Sequence, residues 1–121
     1  MMKRTLLIAL LTASLLPAHA LAQSKTKVVA SFSILADIVG NIGGERIEVA
    51  SLVAPNSDAH VYNPSPADAR KLAEAKAVFV NGLGFEGWLD RLVKASGTKA
   101  PTVVVTKGIK PIVRAAGGHT H

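Results

Sequence analysis

The 121-residue chain contains no cysteine, and only 4% of its residues are aromatic. Without cysteine it forms no disulfide framework, and we expect no lipid-bearing cysteine at a signal cleavage site. The sequence also contains no G-x-S-x-G nucleophile elbow and no carboxylates paired closely in sequence. These absences predict that the protein is not an enzyme.

Acidic residues are absent after Asp90, although basic residues continue to Arg114. The whole chain carries a formal charge of +6. A nucleic-acid surface would combine clustered Lys and Arg with aromatic side chains, but no aromatic residue follows Trp88. The basic segment is therefore interpreted as a solvated surface, and no nucleic-acid partner is predicted.

No apolar run is long enough to span a bilayer, and the segment from Leu6 to Leu16 is typical of a secretory signal instead. It follows the basic start Met1-Met2-Lys3-Arg4 and precedes the small-residue box Ala20-Leu21-Ala22. Residues 1–22 are thus predicted to be a signal peptide, with an uncleaved signal anchor as the alternative. We expect an unanchored mature protein in the periplasm of a two-membrane bacterium.

Strand and helix patterns alternate along the rest of the chain. The predicted strands cover residues 28–32, 47–53, 77–80 and 102–106, and the predicted helices cover residues 34–42, 66–75 and 85–96. The apolar helix faces are Ile34, Leu35, Ile38, Val39 and Ile42 in the first helix, Ala69, Leu72 and Ala73 in the second, and Leu89, Leu92 and Val93 in the third. Strands that are apolar on both faces predict an α/β fold with a parallel four-stranded sheet flanked by helices.

His60 lies in a turn-rich segment between the second strand and the following helix. Two prolines prevent helix formation through residues 63–65, and Ser65 and Asp68 form a capping box around Pro66. The histidine is therefore predicted to lie in a rigid loop at the carboxyl end of a strand, where open α/β folds bind ligands. Because neutral imidazole is the commonest metal-ligating side chain, His60 is a candidate ligand, and an ordinary surface histidine is the alternative.

The segment Gly82–Gly87 matches the dinucleotide fingerprint G-x-G-x-x-G between a strand and a helix. No acidic residue follows at the spacing needed to bind a ribose, and Glu86 would repel a pyrophosphate. We interpret the segment as a structural loop. Glu86 is assigned to a favourable interaction with the helix macrodipole, and Trp88 to packing.

Three segments together, Val28–Asp37, Val53–Pro66 and Asn81–Leu89, resemble the metal-binding periplasmic receptors of zinc and manganese ABC transporters. That family also contains proteins described as adhesins. The resemblance implies the first lobe of a two-lobed solute-binding protein, with strand order 2-1-3-4. It also implies that His60, in the family's Asp-x-His-x-Tyr/Phe-x-Pro-x-Pro segment, is the first metal ligand.

His119 and His121 follow a Gly-Gly pair at the end of the chain. A His-x-His pair holds zinc weakly, and the resemblance places a histidine-rich loop at about this point. A disordered tail or the remainder of a tag is the alternative. The family completes its site with further ligands, which we expect beyond residue 121, so that the chain is a fragment or a truncated form.

These expectations define a signal peptide at residues 1–22, a lobe at residues 23–112 and the start of a histidine-containing loop at residues 113–121. The resemblance implies an extracytoplasmic, monomeric receptor that captures a divalent transition metal and passes it to a membrane permease driven by an ATPase. The metal, with zinc favoured and manganese possible, is a transported ligand rather than a catalytic cofactor. The alternative function is an adhesin-type surface protein of the same family.

The signal prediction is tested by the amino terminus of the exported protein. Because cleavage follows Ala20-Leu21-Ala22, amino-terminal sequencing of periplasmic material is expected to begin at Gln23. Material that begins at Met1 would contradict export by this route.

Overall fold

The computed structural model describes residues 23–113. Its strands are β1 (Thr26–Phe32), β2 (Ile47–Val53), β3 (Val78–Val80) and β4 (Thr102–Val104), and its helices are α1 (Ser33–Gly43), α2 (Pro66–Glu74) and α3 (Leu89–Ser96). A short 3-10 turn, Gly44–Arg46, joins α1 to β2. None of the helices within residues 23–113 has the length and apolar character needed to cross a membrane. The predicted signal segment and the terminal histidines lie outside the described residues.

The four strands form one parallel sheet in the order β2-β1-β3-β4, as predicted. Strand β1 is central, with Val29 paired to Ala50 of β2 on one side and to Val78 of β3 on the other. The chain thus moves outward from β1 in one direction to β2 and in the other direction to β3 and β4. The loops that follow β1 and β3 consequently diverge at the carboxyl edge of the sheet.

The core has two layers because successive side chains of β1 face opposite sides of the sheet. Val28 and Ala30 pack with Leu35 and Val39 of α1. The opposite face packs against α2 and α3, and its buried side chains include Val29, Leu52, Val53, Leu72, Val78, Val80, Leu89 and Leu92. The buried residues therefore form a helix–sheet–helix arrangement with β1 at its centre.

The predicted apolar faces of the helices are wider than the buried ones. In α1, Leu35 and Val39 are buried, but Ile34, Ile38 and Ile42 are 67%, 50% and 83% exposed. Helix α1 packs on β1 and β2 at one side of the sheet, so a single stripe meets the strands. In α2, Ala73 is exposed, contrary to prediction, because that helix turns Leu72 toward the core.

Coverage of the sheet on both sides was predicted for every strand, and β4 departs from it. Its residues Val103 and Val104, and the following Val105, remain 39–41% exposed. The strand also ends at Val104 rather than at Thr106, because the chain turns at residues 105–108. The central strand β1 begins at Thr26, two residues before the predicted start.

Gly82 occupies a tight position where the loop after β3 passes the end of β4. Its φ is +81°, and a Cβ atom there would lie 2.5 Å from Cγ1 of Val104. Gly84 has a similar φ of +76°, but nothing lies within 4 Å of a Cβ at that position. A side chain at Gly84 would therefore meet only the strain of a positive φ, whereas a side chain at Gly82 would also collide with Val104.

This difference predicts unequal effects of alanine substitution. Gly84→Ala is expected to lower the free energy of unfolding by about 1–2 kcal/mol through the positive φ alone. Gly82→Ala is expected to cost about 1–3 kcal/mol more, because the new methyl group also overlaps Val104. Urea unfolding of both variants measures the difference, and equal losses would contradict the close approach.

Candidate metal site

Two loops meet at the carboxyl edge of the sheet: residues 54–65 after β2 and residues 81–88 after β3. The indole Nε1 of Trp88 donates a hydrogen bond of 2.6 Å to the carbonyl oxygen of Ala59. The rings of Trp88 and Tyr62 also pack edge to face, with centroids 5.0 Å apart. Trp88 is buried, as its assignment to packing predicted. The second loop thereby holds the backbone immediately before His60.

The loop after β3 is secured by the buried carboxylate of Glu86, which is 9% exposed. Oε1 accepts hydrogen bonds of 2.6 Å from Ser31 Oγ and 2.6 Å from the backbone N–H of Asn81. Oε2 accepts a hydrogen bond of 3.0 Å from the backbone N–H of Gly82. These three donors satisfy a carboxylate whose burial would otherwise be costly.

The assignment of Glu86 to the macrodipole of a helix over residues 85–96 was wrong. Helix α3 begins only at Leu89, and residues 83–88 form turns. Glu86 instead joins the end of β1, through Ser31, to the end of β3. Sequence periodicity carries no signal for this contact, since Glu86 and Ser31 are 55 residues apart. Ser31, the one polar residue among residues 28–32, was the available hint.

Glu86 also explains why the glycine-rich loop does not resemble a working dinucleotide site. In doubly wound folds, ligands bind in the crevice where neighbouring loops diverge, here between β1 and β3. The backbone N–H groups of Asn81 and Gly82, which a phosphate would need, already bind the chain's own carboxylate. This arrangement supports the interpretation of Gly82–Gly87 as a structural loop.

His60 lies in the loop after β2, where the sequence placed it, and its side chain is 64% exposed. Oδ1 of Asp58 accepts a hydrogen bond of 2.8 Å from the backbone N–H of His60. The same oxygen lies 3.0 Å from Nδ1 of the imidazole. The hydrogen bonds from the backbone and the ring of His60 lower the pKa of Asp58, which is therefore ionised at neutral pH.

Aromatic contacts restrain the imidazole from another side. The rings of His60 and Phe85 meet edge to face with centroids 4.5 Å apart. Phe85 in turn packs on Phe32, at the end of β1, with a centroid distance of 5.0 Å. The glycine-rich loop thus supports His60 directly, a contact that sequence reasoning did not identify.

The base of the His60 loop is a hydrogen-bond network around the buried Asp68. Its carboxylate accepts hydrogen bonds from Tyr62 Oη at 2.9 Å, from Ser65 N and Ser65 Oγ at 2.8 Å each, and from Lys71 Nζ at 3.2 Å. The predicted capping box between Ser65 and Asp68 is present, with Pro66 in the first helical turn. Burial alone would raise the pKa of Asp68, but these hydrogen bonds outweigh it and lower the pKa.

The described part of the chain does not form a complete metal site around His60. Across residues 23–113, no group of three or more His, Asp or Glu side chains is arranged to hold a metal ion. His119 and His121 lie outside those residues, so their positions relative to His60 are not described. Residues 23–113 accordingly provide one positioned imidazole rather than a complete coordination sphere.

The sequence from residue 28 to residue 121 matches the ZnuA family, described as the periplasmic component A of a zinc-uptake complex. The chain belongs to the ZnuA family. Members of this family are solute-binding receptors, so the prediction that the chain is not an enzyme is confirmed. The ZnuA assignment also confirms the resemblance found from the three sequence segments.

Two relatives show how far the similarity extends. It is 47% identical over 68 residues to the manganese-binding lipoprotein MntA of Halalkalibacterium halodurans, a match that covers 56% of this chain and 23% of MntA. It is 40% identical over 100 residues to the manganese ABC transporter substrate-binding lipoprotein PsaA of Streptococcus pneumoniae, covering 74% of this chain and 32% of PsaA.

A solved structure shows the same fold. The manganese-bound periplasmic metal-binding protein of Candidatus Liberibacter asiaticus superposes with a TM-score of 0.69 at 34% sequence identity. The match covers 77% of this chain and 35% of that protein. The chain therefore spans about a third or less of the length of these ZnuA-family relatives.

The Asp68 network predicts a pH-dependent loss of stability. Since the pKa of Asp68 is lowered on folding, its contribution is complete above the unfolded-state value of about 3.9 and is lost as the pH falls through the folded-state value. Asp68→Asn is expected to cost about 1–3 kcal/mol at neutral pH, and less below about pH 4. Urea unfolding of the wild type and of Asp68→Asn, at neutral pH and below about pH 4, measures how the difference in stability depends on pH. Asp37→Asn, which replaces an exposed carboxylate, is the control. A difference independent of pH would contradict the assignment.

Proposed function

We propose that this chain forms the amino-terminal, metal-capturing lobe of an extracytoplasmic receptor for an ABC transporter. In this proposal His60 is the first ligand of a divalent transition metal, which is the transported substrate. Membership of the ZnuA family supports the receptor role, and the predicted signal segment at residues 1–22 supports a periplasmic location. A membrane permease is the proposed recipient of the metal.

The observation that carries the proposal is an exposed imidazole held in a fixed position. His60 is 64% exposed, yet Asp58 binds it on one side and Phe85 contacts it on another. A solvent-exposed ring restrained in this way loses little conformational freedom when it binds a ligand. Its position at the carboxyl edge of a parallel sheet is also where α/β folds place their ligands.

The remaining ligands are proposed to come from outside residues 23–113. Zinc sites use at least three protein ligands, and His60 supplies one. His119 and His121 are candidates for a weak auxiliary zinc site, and further ligands would come from a second lobe. Nitrogen donors in that lobe would favour zinc, whereas carboxylates would favour manganese. The metal named for MntA and PsaA is manganese, and that named for the family is zinc.

The test measures the metal affinity of a longer protein that contains both this lobe and the remaining ligands. His60→Ala is expected to weaken zinc or manganese binding by about 10–100-fold or more, because a site of three or four ligands loses one donor. Isothermal titration calorimetry measures the affinity, and circular dichroism checks that the variant remains folded. The mature chain alone, residues 23–121, is expected to bind zinc only in the micromolar range or more weakly.

Val61→Ala is the matched control, because Val61 is the next residue in the loop and its side chain is 77% exposed. It shortens a side chain beside His60 without removing a ligand, so the affinity is expected to stay unchanged. Equal affinities for the wild type and His60→Ala would contradict the role of His60. Nanomolar one-to-one binding by residues 23–121 would contradict a site divided between two lobes.

A further inference from the structure

We propose that Asp58 is a positioning residue that holds His60 in the Nδ1–H tautomer and thereby makes Nε2 the atom that meets the metal. This inference rests on the proposed function, because it assigns Asp58 a role toward a histidine that binds the metal. The two remain separable, since the tautomer of His60 is measurable without any metal.

The geometry around Oδ1 of Asp58 defines the tautomer. That oxygen lies 2.8 Å from the backbone nitrogen of His60 and 3.0 Å from its Nδ1. An ionised carboxylate only accepts hydrogen bonds, so Nδ1 must carry the proton that it donates. In a neutral imidazole, Nε2 then has the free lone pair, and a lone pair is what a metal ion requires.

The double contact also fixes the orientation of the ring. Because one oxygen accepts from both the backbone and the ring of His60, the imidazole is tied to the local turn of the chain. Phe85 contacts another side of the ring, and the hydrogen bond from Trp88 to the Ala59 carbonyl holds the preceding peptide. Free rotation about the side-chain torsions would otherwise have to be lost when metal binds.

The exposure of Asp58 and His60 indicates that their contact positions the imidazole rather than stabilising the fold. The side chains of Asp58 and His60 are 59% and 64% exposed, and neither belongs to the two core clusters. An exposed pair of this kind contributes little to stability. A hydrogen-bonded carboxylate behind a metal-binding histidine, in contrast, commonly changes metal affinity by about 10–100-fold when removed.

The first experiment measures the tautomer in the metal-free mature chain, residues 23–121. Long-range proton–nitrogen NMR spectra, recorded at a pH where the imidazole is neutral, distinguish Nδ1–H from Nε2–H, and loss of a signal in His60→Ala identifies the His60 resonances. The wild type is expected to show the Nδ1–H form. Asp58→Ala is expected to shift His60 toward the Nε2–H form that free histidine favours, and Asp58→Asn, which keeps an acceptor oxygen, is expected to preserve the Nδ1–H form in part.

Glu45→Ala is the matched control, because it removes an exposed carboxylate from the turn before β2, at the opposite end of that strand. It is expected to leave the tautomer unchanged. All three variants are expected to unfold at the wild-type denaturant concentration within the error of the measurement, since the substituted side chains are exposed. A wild-type His60 in the Nε2–H form, or a tautomer unaffected by Asp58→Ala, would overturn the inference.

The second experiment measures metal affinity in the longer protein used for His60→Ala. Asp58→Ala is expected to weaken binding by about 10–100-fold, Asp58→Asn by less, and Glu45→Ala not at all. If His60→Ala weakens binding and Asp58→Ala does not, the inference is wrong while the proposed function stands. If neither variant affects binding, the proposed function fails and the role of Asp58 toward a metal fails with it.

Discussion

The arrangement at the carboxyl edge of the sheet depends on one buried carboxylate, that of Glu86. It joins Ser31 at the end of β1 to the backbone of Asn81 and Gly82 after β3, and it fills the crevice between those strands. A carboxylate is costly to bury, and the three hydrogen bonds offset that cost only in one loop conformation. That conformation then places Phe85 against His60 and Trp88 against Ala59.

The fold thus places the carboxylate that supports the loops and the candidate metal ligand at different positions. The crevice between β1 and β3, which other doubly wound folds use for ligands, contains an internal carboxylate here. The exposed ligand candidate lies one loop away, on the segment after β2, where His60 remains accessible from solvent. Such a lobe offers a single pre-oriented donor and leaves the rest of the coordination sphere to other parts of the receptor, which accords with our proposal that capture occurs between two lobes.

The sequence was sufficient for the features that depend on local pattern. The capping box of Ser65 and Asp68 and the loop position of His60 were predicted from the residues themselves. The strand order, in contrast, was predicted from the family resemblance. Features that depend on distant partners were missed: the role of Glu86, the ring contact of Phe85, and the exposure of Ile34, Ile38 and Ile42. Periodicity identifies an apolar stripe on α1, but the width of the stripe that becomes buried depends on which strands lie beneath it.

Anomalous diffraction from crystals of the metal-loaded receptor that contains this lobe would show directly whether His60, held by its preformed loop, is a metal ligand. Data collected at the absorption edge of zinc or manganese locate the ion independently of the protein atoms. A zinc ion is expected about 2.0–2.1 Å from Nε2 of His60, with the loop contacts of Asp58, Phe85 and Trp88 preserved. An ion bound elsewhere, with His60 outside its coordination sphere, would contradict the proposed role of His60.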